Sequence, residues 1–295
     1  MSVRVAVARY AIGEPADFAA FADRVAARVD AAARAGAQCV VLPEYLALEA
    51  AAAQEHAVRA DFVRSLDALQ DQRGDYEAFA RELARRHSIY LVAGTFLAAH
   101  GDGRYRNRAW LATPEGALAF QDKLTLTGFE RASGVIEPGD AIKVFDTAIG
   151  RIAIDVCYDI EFPLYARAQA EAGANLLLVP SCTDTEAGAS RVRIGCQARA
   201  LENQAFVACA VTAGVADWSP ALDRNTGSAA IYTPVDRGFP ADGIAAATGE
   251  RDDWAWADVD LDALAAARRE GQVANAADWP AQQRPALARA RVERA

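Results

Sequence analysis

The sequence contains few histidine, cysteine and methionine residues. It contains 3 histidines, 5 cysteines and 1 methionine in 295 residues. The histidines and cysteines form no HxH, HExxH or CxxC pattern, so we expect no structural or catalytic zinc site. A Walker loop and a GxGxxG fingerprint are also absent, which argues against a bound nucleotide. We therefore expect no metal and no cofactor.

Basic residues are outnumbered by acidic ones, and long apolar stretches are missing. The net charge of −9 argues against nucleic acid or an anionic membrane as a partner. No apolar stretch can span a bilayer, and the N-terminus enters a strand pattern at once, without a signal peptide. Since 53% of the residues are hydrophobic, the chain can bury a sizeable core. These features predict a soluble, cytoplasmic protein.

Lysine is the scarcest charged residue. Of 31 basic residues only Lys123 and Lys143 are lysines, and the others are arginines. Lysine differs from arginine in carrying a compact ammonium whose pKa is easily tuned. Lys123 follows the hydrophobic segment 117–122, where the alternative interpretation is an ordinary solvated lysine. Its scarcity favours a specific chemical role.

The hydrophobic pattern predicts alternating strands and helices. Strands are predicted at 3–8, 38–42, 89–97, 106–112, 117–122 and 151–156, and helices at 17–35, 50–70, 75–87 and 163–172. Pro163 suits the first turn of the last of these helices. The apolar runs at 39–42 and 176–179 are typical of strands covered on both faces.

Four segments of the first half recur in the same order in the second half. The pairs are 4–8 with 151–155, 36–43 with 173–180, 89–93 with 205–209, and 106–107 plus 113–114 with 224–225 plus 233–234. Each half therefore looks like a sheet with helices on one face. Two such halves can bury their bare sheet faces against each other. The sequence thus predicts an α/β fold, a four-layer αββα sandwich of two pseudo-repeated halves.

The C-terminal segment differs from the rest of the chain. Residues 271–295 contain Pro280, Pro285 and several arginines, with weak periodicity. We expect one domain over residues 1–270. The segment after it is either a frayed end or an arm that lies on a partner subunit.

Three reactive side chains each follow a predicted strand. They are Glu44, Lys123 and Cys157. Functional groups of such folds gather beyond the carboxyl ends of strands, so we expect all three on one rim. A helix N-terminus and a nearby ammonium would favour the Cys157 thiolate. The alternatives are a helix cap for Glu44 and an inert, buried Cys157.

Taken together, these segments resemble the nitrilase, or carbon–nitrogen hydrolase, superfamily. Its motifs are matched in order by Pro43-Glu44, by Asp122-Lys123 followed by Leu126, and by the segment 157–163, Cys-Tyr-Asp-Ile-Glu-Phe-Pro. Supporting matches are 198–203 and 227–231, and the resemblance covers roughly residues 3–262. It implies an αββα sandwich, in agreement with the duplication.

The resemblance also implies a catalytic set. Glu44 would be the general base, Cys157 the nucleophile that forms a thioester, and Lys123 a donor to the oxyanion. The Tyr158 backbone N–H would assist Lys123, and Glu130 matches the family's second glutamate, which helps position lysine and substrate. Substrate-binding residues are expected at Tyr45, Phe129, Tyr158, Ser181 and Thr183.

Two departures from the family pattern stand near these motifs. Thr125 replaces a histidine that many members have two residues after the lysine. Asp155 lies in the strand before the nucleophile, where small or apolar residues are usual. Its carboxylate either finds a buried partner or faces away from the core.

The nucleophile motif favours one reaction type. The Cys-Tyr-Asp sequence at 157–159 is similar to the amidase and carbamoylase branches, whereas nitrilases usually have Cys-Trp-Glu. We therefore expect ammonia release from a small amide or N-carbamoyl compound. The alternatives are a nitrile hydrolase and a catalytically silent binding protein on the same fold. The resemblance also implies a homodimer or higher homo-oligomer.

Overall fold

The computed structural model describes residues 1–294 as alternating strands and helices. The strands are β1 Ser2–Ala11, β2 Cys39–Leu42, β3 Tyr90–Ala99, β4 Tyr105–Ala112, β5 Leu118–Asp122, β6 Val144–Thr147, β7 Gly150–Ile154, β8 Leu176–Ser181, β9 Phe206–Val215, β10 Arg224–Asn225, β11 Ala230–Tyr232, β12 Ile244–Ala247 and β13 Trp254–Asp260. The helices are α1 Phe18–Arg34, α2 His56–Arg59, α3 Phe62–Gln70, α4 Arg73–His87, α5 Gly128–Ser133, α6 Pro163–Glu171, α7 Glu186–Asn203, α8 Leu261–Glu270 and α9 Asn275–Asp278. Short 3-10 helices lie at Leu46–Ala53, Cys157–Glu161, Trp279–Gln283 and Pro285–Leu287.

Two sheets form the centre of the molecule. The first has the order β5-β4-β3-β2-β1-β13, and the second has the order β6-β7-β8-β9-β11-β12. In each half three strands run parallel before an antiparallel strand follows, β1-β2-β3 with β4 and β7-β8-β9 with β11. The first three repeated segments lie at equivalent points of these two series, and 224–225 of the fourth lies in β10, which also pairs antiparallel with β9. The predicted duplication and the α/β class are confirmed.

The two faces of the first sheet enter different cores. Val5 and Val7 of β1 belong to the apolar cluster that also holds the second sheet and α7. Ala6 and Ala8 belong to the cluster with Phe21 of α1 and residues of α4. Because alternate side chains of a strand point to opposite faces, this division defines the layers. The order is helices, sheet, sheet, helices, the predicted αββα sandwich.

The ends of several elements differ from the sequence prediction. Strand β1 runs to Ala11 rather than to residue 8, because Arg9–Ala11 pair with Val211–Ala213 of β9 and so join the two sheets. That pairing is long-range and leaves no local pattern. The predicted helical stretch 50–70 is a 3-10 helix, Leu46–Ala53, followed by α2 and α3.

The C-terminal segment begins by packing on its own chain. The Gln204 side chain accepts a hydrogen bond from the Ala276 N–H at 3.1 Å. The Arg167 guanidinium of α6 lies 4.6 Å from the centroid of the Trp279 ring. These contacts hold the segment around residues 276–279 on its own chain, whereas residues 284–294 are exposed. No helix within residues 1–294 has the length and apolar character needed to cross a bilayer.

Candidate active site

The three reactive side chains predicted from the sequence meet in one buried place. Glu44 follows β2 and Lys123 follows β5 in the first sheet, whereas Cys157 follows β7 in the second. All three are at most 4% exposed. They meet because the two sheets pack face to face, and not because their strands share one edge.

Lys123 lies between two carboxylates. Its Nζ is 2.8 Å from Oε1 of Glu44 and 2.8 Å from Oε2 of Glu130. The Asn107 amide donates to Glu44 Oε1 at 2.8 Å and to Glu130 Oε1 at 3.1 Å. The Tyr45 hydroxyl donates to Glu130 Oε1 at 2.9 Å. The two acids are thus held by a cation and by neutral donors.

Glu130 is placed by a local sequence signal. Thr127 caps the short helix α5: its side chain accepts from the Glu130 N–H at 3.3 Å, and Glu130 Oε2 accepts from the Thr127 N–H at 2.8 Å. This reciprocal arrangement is a capping box, recognisable from a Thr-x-x-Glu sequence. The structure therefore gives Glu130 a position that its residue type alone does not reveal.

The thiol contacts the end of β8. The Cys157 Sγ–H donates to the Cys182 carbonyl at 3.5 Å, and the Ser181 hydroxyl donates to Sγ at 3.3 Å. The Cys182 N–H donates to Glu44 Oε2 at 3.0 Å. The Cys182 backbone therefore lies between the carboxylate and the thiol. Cys157 and Tyr45 both have left-handed backbones, with φ of 52° and 60°.

Asn107 and Cys182 were not among the predicted site residues. A signal for both was present in the duplication, because the repeat pairs Asn107 with Asn225 and places Ser181 and Cys182 after the counterpart of Pro43. Side chains that follow Pro43 and its counterpart Pro180 should converge if the two halves face each other. The sequence does not show which of them touch.

Burial and neighbouring charges determine the pKa values in this cluster. Burial alone would lower the pKa of Lys123, but the carboxylates of Glu44 and Glu130 outweigh it and raise that pKa well above its usual range. Burial raises the pKa of Glu44, with Lys123 opposing it. For Glu130 the balance is reversed: burial acts upward, but Lys123 and the hydrogen bonds lower the pKa.

Opposing effects act on the pKa of the nucleophile candidate, Cys157. Burial, and then the charge of Glu44, raise the pKa of Cys157 well above its usual value, although Lys123 acts in the opposite direction. The direction of this shift is opposite to the one expected from a helix N-terminus and a nearby ammonium. A short 3-10 helix begins at Cys157, and α6 begins only at Pro163.

The thiol opens into a cavity of about 300 Å³. Of the predicted substrate-binding residues, Tyr45, Phe129, Tyr158 and Thr183 line it. Ser181 contacts the thiol but lines a second cavity, of about 480 Å³, instead. Besides Glu44 and Lys123, the charged residues at the first cavity are Glu161, Asp184, Arg191, Asp223 and Arg224. Within residues 1–294, no group of three or more His, Cys, Asp or Glu side chains is placed to hold a metal ion.

Thr125 and Asp155, the two departures from the family pattern, each contact a side chain of α6. The Thr125 hydroxyl lies 3.0 Å from the Tyr165 hydroxyl, so it faces α6. Asp155 is buried and accepts a hydrogen bond from the Gln169 amide at 3.0 Å. Of the two possibilities left open for Asp155, the structure shows the buried partner.

A protein-family model and several curated proteins match this chain. The family model for carbon-nitrogen hydrolase matches residues 4–269. The chain is 33% identical over 272 residues to the probable hydrolase YhcX of Bacillus subtilis, with 92% of this chain and 52% of that protein covered. The chain thus spans about half the length of that curated relative. It is 27% identical over 210 residues to the omega-amidase NIT2 of Bos taurus, covering 67% of this chain and 71% of the relative.

Two solved structures have a fold similar to that of this chain. The amidase from Nesterenkonia sp. superposes with a TM-score of 0.68 and 25% identity, covering 91% of this chain and 94% of that one. Nit3 of Saccharomyces cerevisiae, a member of branch 10 of the nitrilase superfamily, shows the same fold, with a TM-score of 0.73, 23% identity and 91% and 93% coverage. With the family model matching most of its length, this chain belongs to the carbon–nitrogen hydrolase family of the nitrilase superfamily.

Proposed function

We propose that this chain is an amidase that hydrolyses a C–N bond of a small linear amide or N-carbamoyl compound and releases ammonia. The observation that supports this most directly is the convergence of Glu44, Lys123 and Cys157 at the base of one cavity. The pocket supplies a nucleophile, a proton acceptor and a cation to one bound carbonyl group. These are the parts that acyl transfer requires.

The first half of the proposed reaction forms a thioester. Glu44 takes the proton of the Cys157 thiol as sulfur attacks the carbonyl carbon. Lys123 and the backbone N–H of Tyr158 donate to the oxygen that becomes negative in the tetrahedral intermediate. The C–N bond then breaks, Glu44 returns the proton to the leaving nitrogen, and ammonia departs.

The second half regenerates the enzyme. Glu44 accepts a proton from a water molecule, whose oxygen attacks the thioester carbon. The C–S bond breaks, the proton passes to the sulfur, and the carboxylic acid leaves. Glu130 holds Lys123 in place through both halves, because its Oε2 lies 2.8 Å from Nζ.

The pKa shifts in this site suit this order of events. Burial and then Glu44 raise the pKa of Cys157, which favours the thiol form, so attack needs a base. The raised pKa of Glu44 makes that carboxylate a stronger proton acceptor than an exposed glutamate. Proton transfer coupled to attack avoids a free buried thiolate.

The names of related proteins support an amide over a nitrile. Relatives of this chain include an omega-amidase at 27% identity and a structurally similar amidase at 25% identity. The Cys-Tyr-Asp sequence at 157–159 points in the same direction. Nitrile hydrolysis is the alternative outcome of the same test.

An ammonia-release screen tests the proposal. The panel contains propionamide, succinamate, glutamine, N-carbamoyl-β-alanine and propionitrile. We expect turnover of at least one amide or carbamoyl compound, none by Cys157→Ala, and normal turnover by Cys39→Ala, which removes another buried thiol. Circular dichroism confirms that each variant is folded. Full turnover by folded Cys157→Ala would overturn the mechanism, and hydrolysis of propionitrile alone would replace amidase with nitrilase.

We also propose a homodimer in the cytoplasm. Helices α6 and α7 pack side by side, and they leave Leu164, Ile194 and Leu201 exposed by 73%, 58% and 45%. Large exposed apolar side chains on neighbouring helices are typical of an interface. Five free cysteines suit a reducing compartment. Sedimentation of the wild type and of Leu164→Glu/Ile194→Glu tests the dimer: a wild type that sediments as a monomer contradicts it.

A further inference from the structure

We propose that Asn107 is a positioning residue of this site. Its amide holds Glu44 and Glu130 on either side of Lys123 and keeps the Glu44 carboxylate ionised and ready to accept a proton. The inference rests on the proposed function, since it assigns Asn107 a part in the same reaction. It concerns how the base is prepared, and not which group attacks.

The contacts of Asn107 leave one orientation for its amide. Both facing atoms are carboxylate oxygens, Oε1 of Glu44 at 2.8 Å and Oε1 of Glu130 at 3.1 Å. Carboxylates only accept hydrogen bonds, so the NH₂ group must face them and supplies one hydrogen to each. Within the described residues Oδ1 has no partner, which shows that the two carboxylate contacts determine the orientation.

Asn107 also holds the lysine through the backbone. It lies in β4, paired with Leu97 of β3, and its side chain is 1% exposed. Its carbonyl oxygen accepts a hydrogen bond from the Lys123 N–H at 2.8 Å. One residue therefore contacts Glu44, Glu130 and Lys123. A displacement of Asn107 would change all three positions together.

A neutral donor is what the charges of this cluster require. Two carboxylates share one ammonium, and the charge of Glu130 raises the pKa of Glu44. Hydrogen bonds donated to a carboxylate favour its ionised form, and the Asn107 bond contributes to the lowered pKa of Glu130. A second cation at this position would compete with Lys123 for the same oxygens. An amide stabilises both anions and leaves the charge of Lys123 unchanged.

The repeat shows that this role is not a general property of the fold. Asn225 is the counterpart of Asn107 in the second half. Its amide donates to the Leu222 carbonyl at 2.6 Å, and its Oδ1 accepts from the Cys182 thiol at 3.3 Å. Among the acceptors in residues 1–294, its amide bonds to backbone carbonyls and to no carboxylate. The same position thus braces a loop in one half and two acids in the other.

Two variants and a matched control test the inference. Asn107→Leu keeps the approximate volume without the N–H donors, and Asn107→Asp keeps the shape but adds a third carboxylate. Asn203→Leu removes an equally buried asparagine whose amide donates to the Arg199 carbonyl and whose Oδ1 accepts from Arg167, away from the proposed catalytic groups. The activity assay uses the amide that the screen above ranks first, and active sites are counted by titration of Cys157.

We expect a shift in pH dependence that a folding defect cannot produce. Without the donors, the pKa of Glu44 rises, so the acidic limb of the kcat/KM profile moves up by about one pH unit in Asn107→Leu and further in Asn107→Asp. The value of kcat falls about tenfold or more, by analogy with the loss of hydrogen bonds to charged groups. Asn203→Leu unfolds more easily but keeps the acidic limb in place. If Asn107→Leu fails to fold, Asn107→Ser takes its place.

A second readout needs no substrate. Carbon-13 NMR of protein labelled at the glutamate Cδ follows each carboxyl group, with the Glu44 signal assigned by its loss in Glu44→Gln. We expect the Glu44 titration to move to higher pH in Asn107→Leu. An unchanged titration and an unchanged kcat/KM profile, with Cys157→Ala still inactive, would overturn this inference alone. Activity in Cys157→Ala would overturn the proposed function instead.

Discussion

The carboxylate of Asp159 accepts a hydrogen bond from the backbone N–H of Thr125 at 2.7 Å. It also accepts one from the Leu124 N–H at 3.0 Å. Asp159 comes two residues after Cys157, and Leu124 comes directly after Lys123. One side chain therefore ties the lysine segment to the nucleophile segment, although the two belong to different sheets.

This contact predicts the effect of replacing Asp159. Asp159→Asn turns one acceptor into a donor that faces two N–H groups, so both segments should separate. We expect the free energy of unfolding to fall by about 1–3 kcal/mol and kcat/KM to fall at least about tenfold, as for a misplaced catalytic group. Urea denaturation and ammonia release measure the two effects. The control is Asp146→Asn at an exposed site; equal effects in both variants would contradict the role.

Gly94 leaves room for the segment that carries Glu44. It has a φ of +73°, and a Cβ there would lie 2.5 Å from the Pro43 carbonyl oxygen. Gly101 has nearly the same φ, +71°, with no atom within 4 Å. Comparing alanine at the two positions separates steric overlap from backbone strain, since the strain is shared. We expect Gly94→Ala to be about 1–3 kcal/mol less stable than Gly101→Ala.

Enzymatic activity should distinguish Gly94→Ala from Gly101→Ala more clearly than stability does. Because Pro43 directly precedes Glu44, a displaced Pro43 should move the proposed base away from Lys123. We expect Gly94→Ala, but not Gly101→Ala, to lose more than about tenfold in kcat/KM. Ammonia release from folded protein measures it. Equal rates for the two variants would show that the Glu44 segment tolerates the shift.

Lys123 should not be replaceable by arginine. Its Nζ reaches two carboxylates at 2.8 Å in a site that is 1% exposed, and a planar guanidinium is too wide for that space. We expect Lys123→Arg to lose about 10²–10³ in kcat, nearly as much as Lys123→Ala, by analogy with oxyanion donors. Lys143→Arg is the matched control, because the ammonium of the other lysine donates to the Phe120 carbonyl and lies over the Phe120 ring, outside the site. A wild-type rate for Lys123→Arg would show that charge alone suffices.

The thiol should be slow to react in the absence of substrate. Because the pKa of Cys157 is raised by burial and by Glu44, we expect iodoacetamide to modify it at pH 7 more slowly than free cysteine, with the rate rising above pH 9. Glu44→Gln removes the neighbouring charge and should accelerate modification at pH 7. Peptide mapping separates Cys157 from Cys182, which lines the same cavity. Rapid labelling of the wild type at pH 7 would indicate a thiolate.

Asp155 should make stability depend on pH. Burial raises its pKa to about 7, above the value near 4 of an unfolded chain. The folded protein then holds the proton more tightly, so this contribution is complete below pH 4 and is lost as the pH rises through 7. Asp155→Asn cannot lose a proton. We expect its loss of stability between pH 5 and pH 8 to be smaller than that of the wild type, by on the order of 2 kcal/mol.

Urea denaturation at the two pH values measures this difference. The free energy of unfolding still depends on pH without Asp155, because burial also raises the pKa of Asp159 to about 7. If the unfolding free energy changes equally with pH in the wild type and in Asp155→Asn, then Asp155 stays ionised in the folded protein. In that case Gln169 and the nearby Arg199 would be compensating its charge.

Local patterns in the sequence were enough for the elements and for three of the site positions. Hydrophobic periodicity and the repeat predicted the parallel strands, the helices and the αββα layering. Glu44, Lys123 and Cys157 were recognisable because each is a reactive residue at the end of a buried strand. Glu130 was predicted only from the family resemblance, and the structure adds a local signal for its position, the Thr-x-x-Glu capping sequence.

Contacts between distant residues were beyond those patterns. Asn107 stands 63 residues from Glu44 and 23 from Glu130, so nothing local links its amide to either acid. Ser181 was expected in the substrate cavity, but its hydroxyl donates to the Cys157 sulfur at 3.3 Å and the residue lines a different cavity. The direction of the Cys157 pKa shift could not be predicted either, because burial depends on what packs around the thiol.

The amino-acid sequence by itself determined the layers, the repeat and the reactive groups, because secondary structure follows from periodicity along the chain. Only the tertiary structure decided how these groups meet. The face-to-face packing of two sheets brings Glu44, Lys123 and Cys157 together and removes water from them. Desolvation and charge pairing at short range then set the protonation of each group, and both depend on distances that no stretch of sequence contains.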